Sequence, residues 1–388
     1  MSTMNGSPYL TEEHHMFRAM VREFAEKEVA PLAAHIDETQ EFPMQTIKKM
    51  GPLGLMGVPF PEELGGAGMD TLAYTIAVEE ISRVCAATGI TLAAHVSLGT
   101  SPIFLFGTDA QKKKYIPPMA SGEAIGSFGL TEPEAGSDAG GTKTMARRDG
   151  ADYVLNGTKI YVTSGRYANT LCVSARTSEG RTTKGISAFI VETKTPGFKV
   201  GTKENKLGIR GSDTSVVFFE DCRVPAENLL GAEGEGFQVF MKALEGGRIS
   251  IGAMALGIAQ GAYERSLAYS KERVQFGQPI SKFQAVQFML VDMHTQIEAA
   301  RHLVYHAAWL KDRGQPIIKE SSMAKLYASE AAMFVTTKAI QVHGGAGYCK
   351  EFQVERYFRD AKITEIGEGT SEIQRLVIAR EILKDAAG

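Results

Sequence analysis

Apolar and polar positions along this chain follow two different periods, and the places where the period changes divide it into three parts. From Thr11 onward, Met16, Phe17, Met20, Val21 and Phe24 recur at helical spacing. Thr11 suits an N-cap, and Glu12 and Glu13 fall where the positive end of a helix dipole favours acids. Pro31 is expected to break or kink this helix near its end. The stretch Gly57 to Asp70, GVPFPEELGGAGMD, is loop chemistry, and Asp70 is placed to cap a helix through TLAYTIAVEEISRVC.

Past Gly122 the period shortens. Between Ala124 and Pro225, β-rich runs such as YVLNGTKIYVTS, TLCVSART, GISAFIVE and TSVVFFEDCRV alternate with turns. Asn156-Gly157 is a hairpin signal. Closely spaced strands with short connections predict an antiparallel sheet, not βαβ units. Helical patterns return near Glu235; the one beginning FQAVQFMLVDM ends at Gly314, as a C-cap glycine would end it. The expected architecture is mainly α with a central β domain. An N-terminal helical domain covers residues 1–123, an antiparallel β domain 124–234 and a C-terminal helical domain 235–388.

Length supports that division, because 388 residues exceed one comfortable core. A formal charge of -3 argues against general nucleic-acid binding while leaving room for a local cationic pocket. Cys85, Cys172, Cys222 and Cys349 are widely spaced and form no CxxC or zinc pattern, which points to free, buried thiols in a reducing compartment. No apolar stretch reads as a membrane span, and the start lacks a signal-peptide core. The expected location is cytoplasmic, with the mitochondrial matrix as the alternative if a presequence has been removed.

Common catalytic signatures are missing: no GxGxxG after a strand, no Walker A loop, no GxSxG elbow. His294, Glu298, His302 and His306 share a helical stripe, but without HExxH the expectation is a polar face or subunit contact and no metal. Lys112, Lys113 and Lys114 read as a solvated helix face. Three glycine-rich polar segments interrupt regular elements. Phe128 to Gly141, FGLTEPEAGSDAGG, either holds a polar cofactor edge or is a turn-rich entry to the sheet. HGGAGY, His343 to Tyr348, reads alone as a C-cap turn. IGEGTSEIQR, Ile366 to Arg375, reads alone as a flexible glutamate before a helix capped by Thr370 or Ser371.

Together these segments resemble the acyl-CoA dehydrogenase family, nearest its short-chain and short branched-chain branch. The resemblance is carried in order by FGLTEPEAGSD, KIYVTSGRYAN, RVQFGQPISKFQAVQ, QVHGGAGY and YFRDAKITEIGEGTSEIQR. It implies a homotetramer with one FAD per subunit, an acyl-CoA substrate and electron-transferring flavoprotein as partner. The implied reaction is α,β-dehydrogenation of the acyl thioester, with Glu368 as α-proton base.

The resemblance also distributes the binding roles. Phe128, Leu130 and Thr131 would face one flavin edge, Ser137 the pyrophosphate or CoA, and Tyr161 and Thr163 the ring system. Arg273, Phe276, Gln284, Gln341 and Gly345 would meet FAD across a subunit boundary, with Thr370 and Glu372 beside it. Arg248 and Arg380, with Glu245 nearby, are the candidates for CoA, each with a structural ion pair as the alternative. Gly367 and Gly369 would let the backbone approach the thioester. Some branches carry the base where Gly247 stands, and glycine cannot serve. Many short- and medium-chain members have an aromatic residue where Gly367 stands; its absence either enlarges the site for branched or cyclic acyl groups or only loosens the loop. An acyl-CoA oxidase, an enoyl-CoA reductase working in reverse and a catalytically silent flavoprotein scaffold are the competing readings.

Overall fold

A computed structural model describes residues 7–180 and 182–385. Its first helix, α1 (Glu12–Phe24), opens on a capping box in which Thr11 Oγ1 accepts from His14 N while the His14 ring bonds Thr11 N. Phe17, Val21 and Phe24 are buried and Met16 faces out. The α-helix stops well before Pro31: the chain first widens into a π turn, Ala25–Val29, and then tightens into a 3-10 turn, Ala30–Leu32, that seats the proline. Then come α2 (Ala33–Thr39), α3 (Met44–Met50), α4 (Thr71–Val84), α5 (Ala86–Ala94), α6 (Ser101–Phe106) and α7 (Asp109–Ala120). Asp70 caps α4, accepting from Ala73 N at 2.8 Å.

The sheet comprises β1 (Gly126–Gly129), β2 (Met145–Asp149), β3 (Asp152–Thr163), β4 (Thr170–Arg176), β5 (Ile186–Glu192), β6 (Phe198–Lys203), β7 (Thr214–Pro225) and β8 (Leu229–Leu230). Strands lie in the order β6-β7-β3-β2-β4-β5-β8, with β1 beside β4. Most pairings are antiparallel, but β4 runs parallel to both β1 and β2. The hairpin expected at Asn156-Gly157 is not there. Both residues lie inside β3, where the register against β7 slips between Leu155 and Gly157. Asn156 spends its amide on Asp221, and a Cβ at position 157 would stand 2.7 Å from Thr144 Cα. The β2–β3 turn is instead Gly150-Ala151, between the paired Asp149 and Asp152.

The chain ends in α8 (Gly236–Glu272), a small hairpin β9 (Val274–Gln275) and β10 (Gln278–Pro279), α9 (Gln284–Asp312), α10 (Ile318–His343), α11 (Val354–Ala361) and α12 (Ser371–Asp385). Gly314, with φ +66, follows α9 as the expected terminating glycine. α8 packs on α4, α9 and α10 and is buried all round from Gly247 to Ala262. One apolar core joins the first and last helical segments; the sheet has a second, around Leu155, Val173, Phe189 and Phe219.

Ala86–Phe106 is, contrary to expectation, long and apolar enough to cross a membrane; most of its apolar window is buried inside the fold, as in a core helix. Charges are also buried. Glu79 of α4 bonds Arg301 of α9 at 3.1 Å and accepts from Tyr305, tying the helices together. The histidine stripe is taken up in ring contacts, His302 and His306 with Tyr9 and His294 with Tyr263. Of the four cysteines expected to be buried, Cys349 is exposed, because it follows the turn that ends α10.

Candidate active site

Glu368 stands on the crest between a 3-10 turn and α12. Ile366 N and Gly367 N both donate to Ile363 O, closing the turn, and Thr370 Oγ1 accepts from Ile373 N to start the helix. Between them the backbone is left-handed at Glu368, φ +54, and at Gly369, φ +93. Only the second of these is a glycine, so Glu368 holds a strained conformation. Gly367 is not at positive φ, and a Cβ there would meet Ile363 O at an ordinary 3.4 Å.

The strained backbone sends the carboxyl toward α8. A Cβ on Gly247 would collide with Glu368 Oε2 and stand 3.1 Å from its Cδ. Leu98, within the π turn His95–Thr100, closes the same spot. Oε2 is buried and has no hydrogen-bond partner among the described residues. Burial pushes the Glu368 carboxyl up to about 7, against the opposing pull of Lys325 and Arg248.

Arg248, the next residue of α8, is buried; its Nη1 donates to Ser322 Oγ at 3.3 Å and its Nε has no partner among the described residues. Burial lowers its pKa, opposed by Glu245 and Glu368. Glu245 pairs with Lys242 at 2.7 Å on the wall of a cavity of about 270 Å³ that also touches Tyr74, Ser97, Leu105 and Lys311. Arg380 is exposed and bonds Glu381 at 3.1 Å. Glu372 is exposed at the start of α12.

A second patch forms on the sheet. The β3–β7 register shifts again between Lys159 and Val162, and this bulge puts Tyr161 at φ +56 with 62% of its surface exposed. Thr163 follows on the same strand, its carbonyl accepting from Ser127 Oγ. Ile160 N donates to Thr131 O at 2.9 Å, so the FGLTEPEAGSD loop lies against the bulge. Phe128 turns its ring onto Phe240 of α8, with centroids 4.7 Å apart, while Ser137 is exposed.

What staples that loop escaped the sequence reading. Lys159 is fully buried, and its Nζ bonds Glu132 Oε1 at 2.6 Å, Ser174 Oγ at 2.9 Å and Leu130 O at 3.2 Å. Glu132 in turn accepts from Lys143 N and Thr144 N. Charges at alternate strand positions usually mark solvent, so nothing in the pattern reveals this pair.

The third group is apart and exposed. Arg273 caps α8, Phe276 sits at the β9–β10 turn with φ +52 and 94% exposure, and Gln284 opens α9. Gln341 and Gly345 are exposed around the end of α10. Tyr269 stacks on His343 at 4.3 Å, so the hairpin and the HGGAGY turn share one end of the α8–α10 pair.

Three family models match this chain in sequence: acyl-CoA dehydrogenase N-terminal domain over residues 11–123, middle domain over 127–222 and C-terminal domain over 234–383. The chain belongs to the acyl-CoA dehydrogenase family. It is 55% identical to the short-chain specific acyl-CoA dehydrogenase of Clostridium acetobutylicum, over 97% of this chain and 99% of that one. A chain from the structure "Electron transferring flavoprotein of Acidaminococcus fermentans: Towards a mechanism of flavin-based electron bifurcation" superposes with a TM-score of 0.96 at 52% identity, covering 98% of this chain and 100% of that one. Butyryl-CoA dehydrogenase from Megasphaera elsdenii superposes with a TM-score of 0.95 at 46% identity, covering 96% and 99%. As an acyl-CoA dehydrogenase the chain is a flavoprotein oxidoreductase, and the relatives it is similar to include a short-chain specific enzyme. The residues present suit a flavin: an exposed aromatic ring on strained backbone, a threonine beside it, and a polar loop pinned underneath.

Proposed function

We propose that this enzyme is an FAD-dependent dehydrogenase of short-chain acyl-CoA thioesters in which Glu368 removes the α-proton and electrons leave to electron-transferring flavoprotein. The observation that carries the reading is the Glu368 carboxyl: buried, without a partner on Oε2 among the described residues, and raised to about 7. A carboxylate in that state is a far stronger base than one in water. FAD, when bound, supplies the acceptor for the β-hydrogen. Tyr161, Thr163, Phe128, Leu130 and Thr131 would hold its ring system, with Ser137, Thr370 and Glu372 at its polar parts.

The chain's own groups account for the rest. Among the described residues no acceptor is bonded to Glu368 N–H, so this amide remains free to donate to a thioester oxygen as charge develops there. Arg248 adds positive charge next to the base, and Arg380 offers an exposed cation for CoA phosphate. Exposed Phe276, Phe288 and Val291 support the homotetramer, in which Arg273, Phe276, Gln284, Gln341 and Gly345 would reach a neighbour's FAD.

Gly367 bears on the acyl group. Its backbone does not require glycine, which supports space, not flexibility, as what the missing side chain provides. Branched and cyclic acyl groups should therefore enter beside the α- and β-carbons. Anaerobic titration of the yellow protein with butyryl-, isobutyryl-, 2-methylbutyryl- and cyclohexanecarbonyl-CoA tests this. Bleaching by straight chains alone would reject the roomy site. Glu368→Gln should keep its flavin and lose about 10²–10⁴-fold in bleaching rate. Undiminished bleaching in that variant would remove Glu368 as the base.

A further inference from the structure

Two consecutive left-handed residues, Glu368 and Gly369, do not hold themselves in place, because an L-residue is strained in that region. Their carbonyls show what does. Gln374 Nε2, one turn into α12, donates to Glu368 O at 3.2 Å and to Gly369 O at 3.0 Å. Lys325 Nζ, from α10, donates to Gly369 O at 2.7 Å. Both Gln374 and Lys325 are 0% exposed. A glutamine in both roles would satisfy the carbonyls at less cost than a buried ammonium.

The charge of Lys325 needs its own explanation, because no ion pair to it forms among the described residues. Burial lowers the Lys325 pKa to about 8; the acids that oppose this at longer range are Glu368 first, then Glu365 and Glu372, while Arg248 from α8 adds to the lowering. Around Glu368 itself the facing groups are Lys325 of α10, Arg248 of α8 and the Tyr74 phenol of α4. Of the two cations Lys325 pulls harder on the carboxyl.

We propose that Lys325 is a positioning residue for the base: it pins the left-handed loop through the Gly369 carbonyl and lends Glu368 the positive charge that keeps its carboxylate available at neutral pH. This rests on Glu368 being the base. Lys325 is offered no part in proton transfer; it acts through Glu368.

Infrared titration of the purified holoprotein provides the test, following the protonated-carboxyl band that Glu368→Gln abolishes. In Lys325→Met the midpoint of that band should move alkaline by about 1 pH unit or more. The acid limb of anaerobic bleaching by butyryl-CoA should move with it. Lys325→Arg keeps the charge and should restore the wild-type midpoint. Lys325→Gln keeps a donor without charge and should shift the midpoint like Met, which covers the case in which Lys325→Met does not fold. An unshifted midpoint in both neutral variants overturns the proposal, even if their rates fall. Active Glu368→Gln would instead sink the assignment of the base.

Discussion

Glu368 and Tyr161 have nearly the same unfavourable backbone, φ +54 and φ +56, yet one points into the molecule and the other out of it. Glu368 is held by Gln374, Lys325 and the surface of α8, all within one chain. Tyr161 sits at a register slip in the sheet and stands 62% exposed. The difference shows how the work is divided. The proposed acid–base half of the site is buried within this chain, whereas the proposed flavin-facing half is an exposed surface. Strain in the first is secured by packing; in the second, occupation by a ligand is what would secure it.

The largest effect that would break this contrast comes from α8. Gly247→Ala places a methyl where Glu368 Oε2 sits, so the carboxyl must move. A displacement of that order should cost about 10²-fold in bleaching rate while leaving flavin content unchanged. Stopped-flow bleaching together with the visible spectrum checks both halves. An intact rate would mean that the carboxyl has room to shift, and that the inner half is less rigid than its geometry says.

Proton availability comes next. In the proposed reaction Glu368 works as carboxylate, and burial pushes its pKa up to about 7. Below that value the bleaching rate should fall by about tenfold per pH unit, and above it level off. Stability runs the other way. The folded value lies above the ordinary 4.5, so the contribution of this group is fully present below pH 4.5 and lost as the pH rises through about 7. Glu368→Gln should therefore unfold at higher denaturant than wild type at pH 8, and lose that advantage at pH 4.5. An acid limb centred near 4.5 would show the carboxyl to be wet.

The smallest effect belongs to the outer half. Tyr161→Gly releases the strained backbone and should stabilise the apoprotein by up to about 1 kcal/mol while weakening flavin retention. Denaturation and flavin content, measured on one preparation, test the pair of effects. Stabilisation without flavin loss would leave Tyr161 with no flavin role.

Local rules carried the sequence reading a long way. Thr11 and Asp70 cap helices because capping needs only neighbours in the chain, and Thr370 begins α12 for the same reason. Asn156-Gly157 misled because a hairpin dipeptide also suits a bulge, and only the partner strand decides between them. Lys325 and Gln374 escaped notice: a lysine inside an alanine-rich helix reads as a surface residue until the fold brings Gly369 O to it. Glu368 was legible as a position, but its environment was not, since the wall that desolvates it comes from residues more than a hundred positions earlier.

Gly247 and Glu368 share one small volume: side-chain bulk at one must be given up at the other. Two distant positions thus behave as alternative addresses for a single occupant. Emptying both, by Glu368→Gly, would leave a socket of carboxylate size against α8. Added formate or acetate could then stand in for the missing side chain. How fully it did so would separate what the carboxylate contributes as a base from what its attachment to a strained backbone contributes by aiming it.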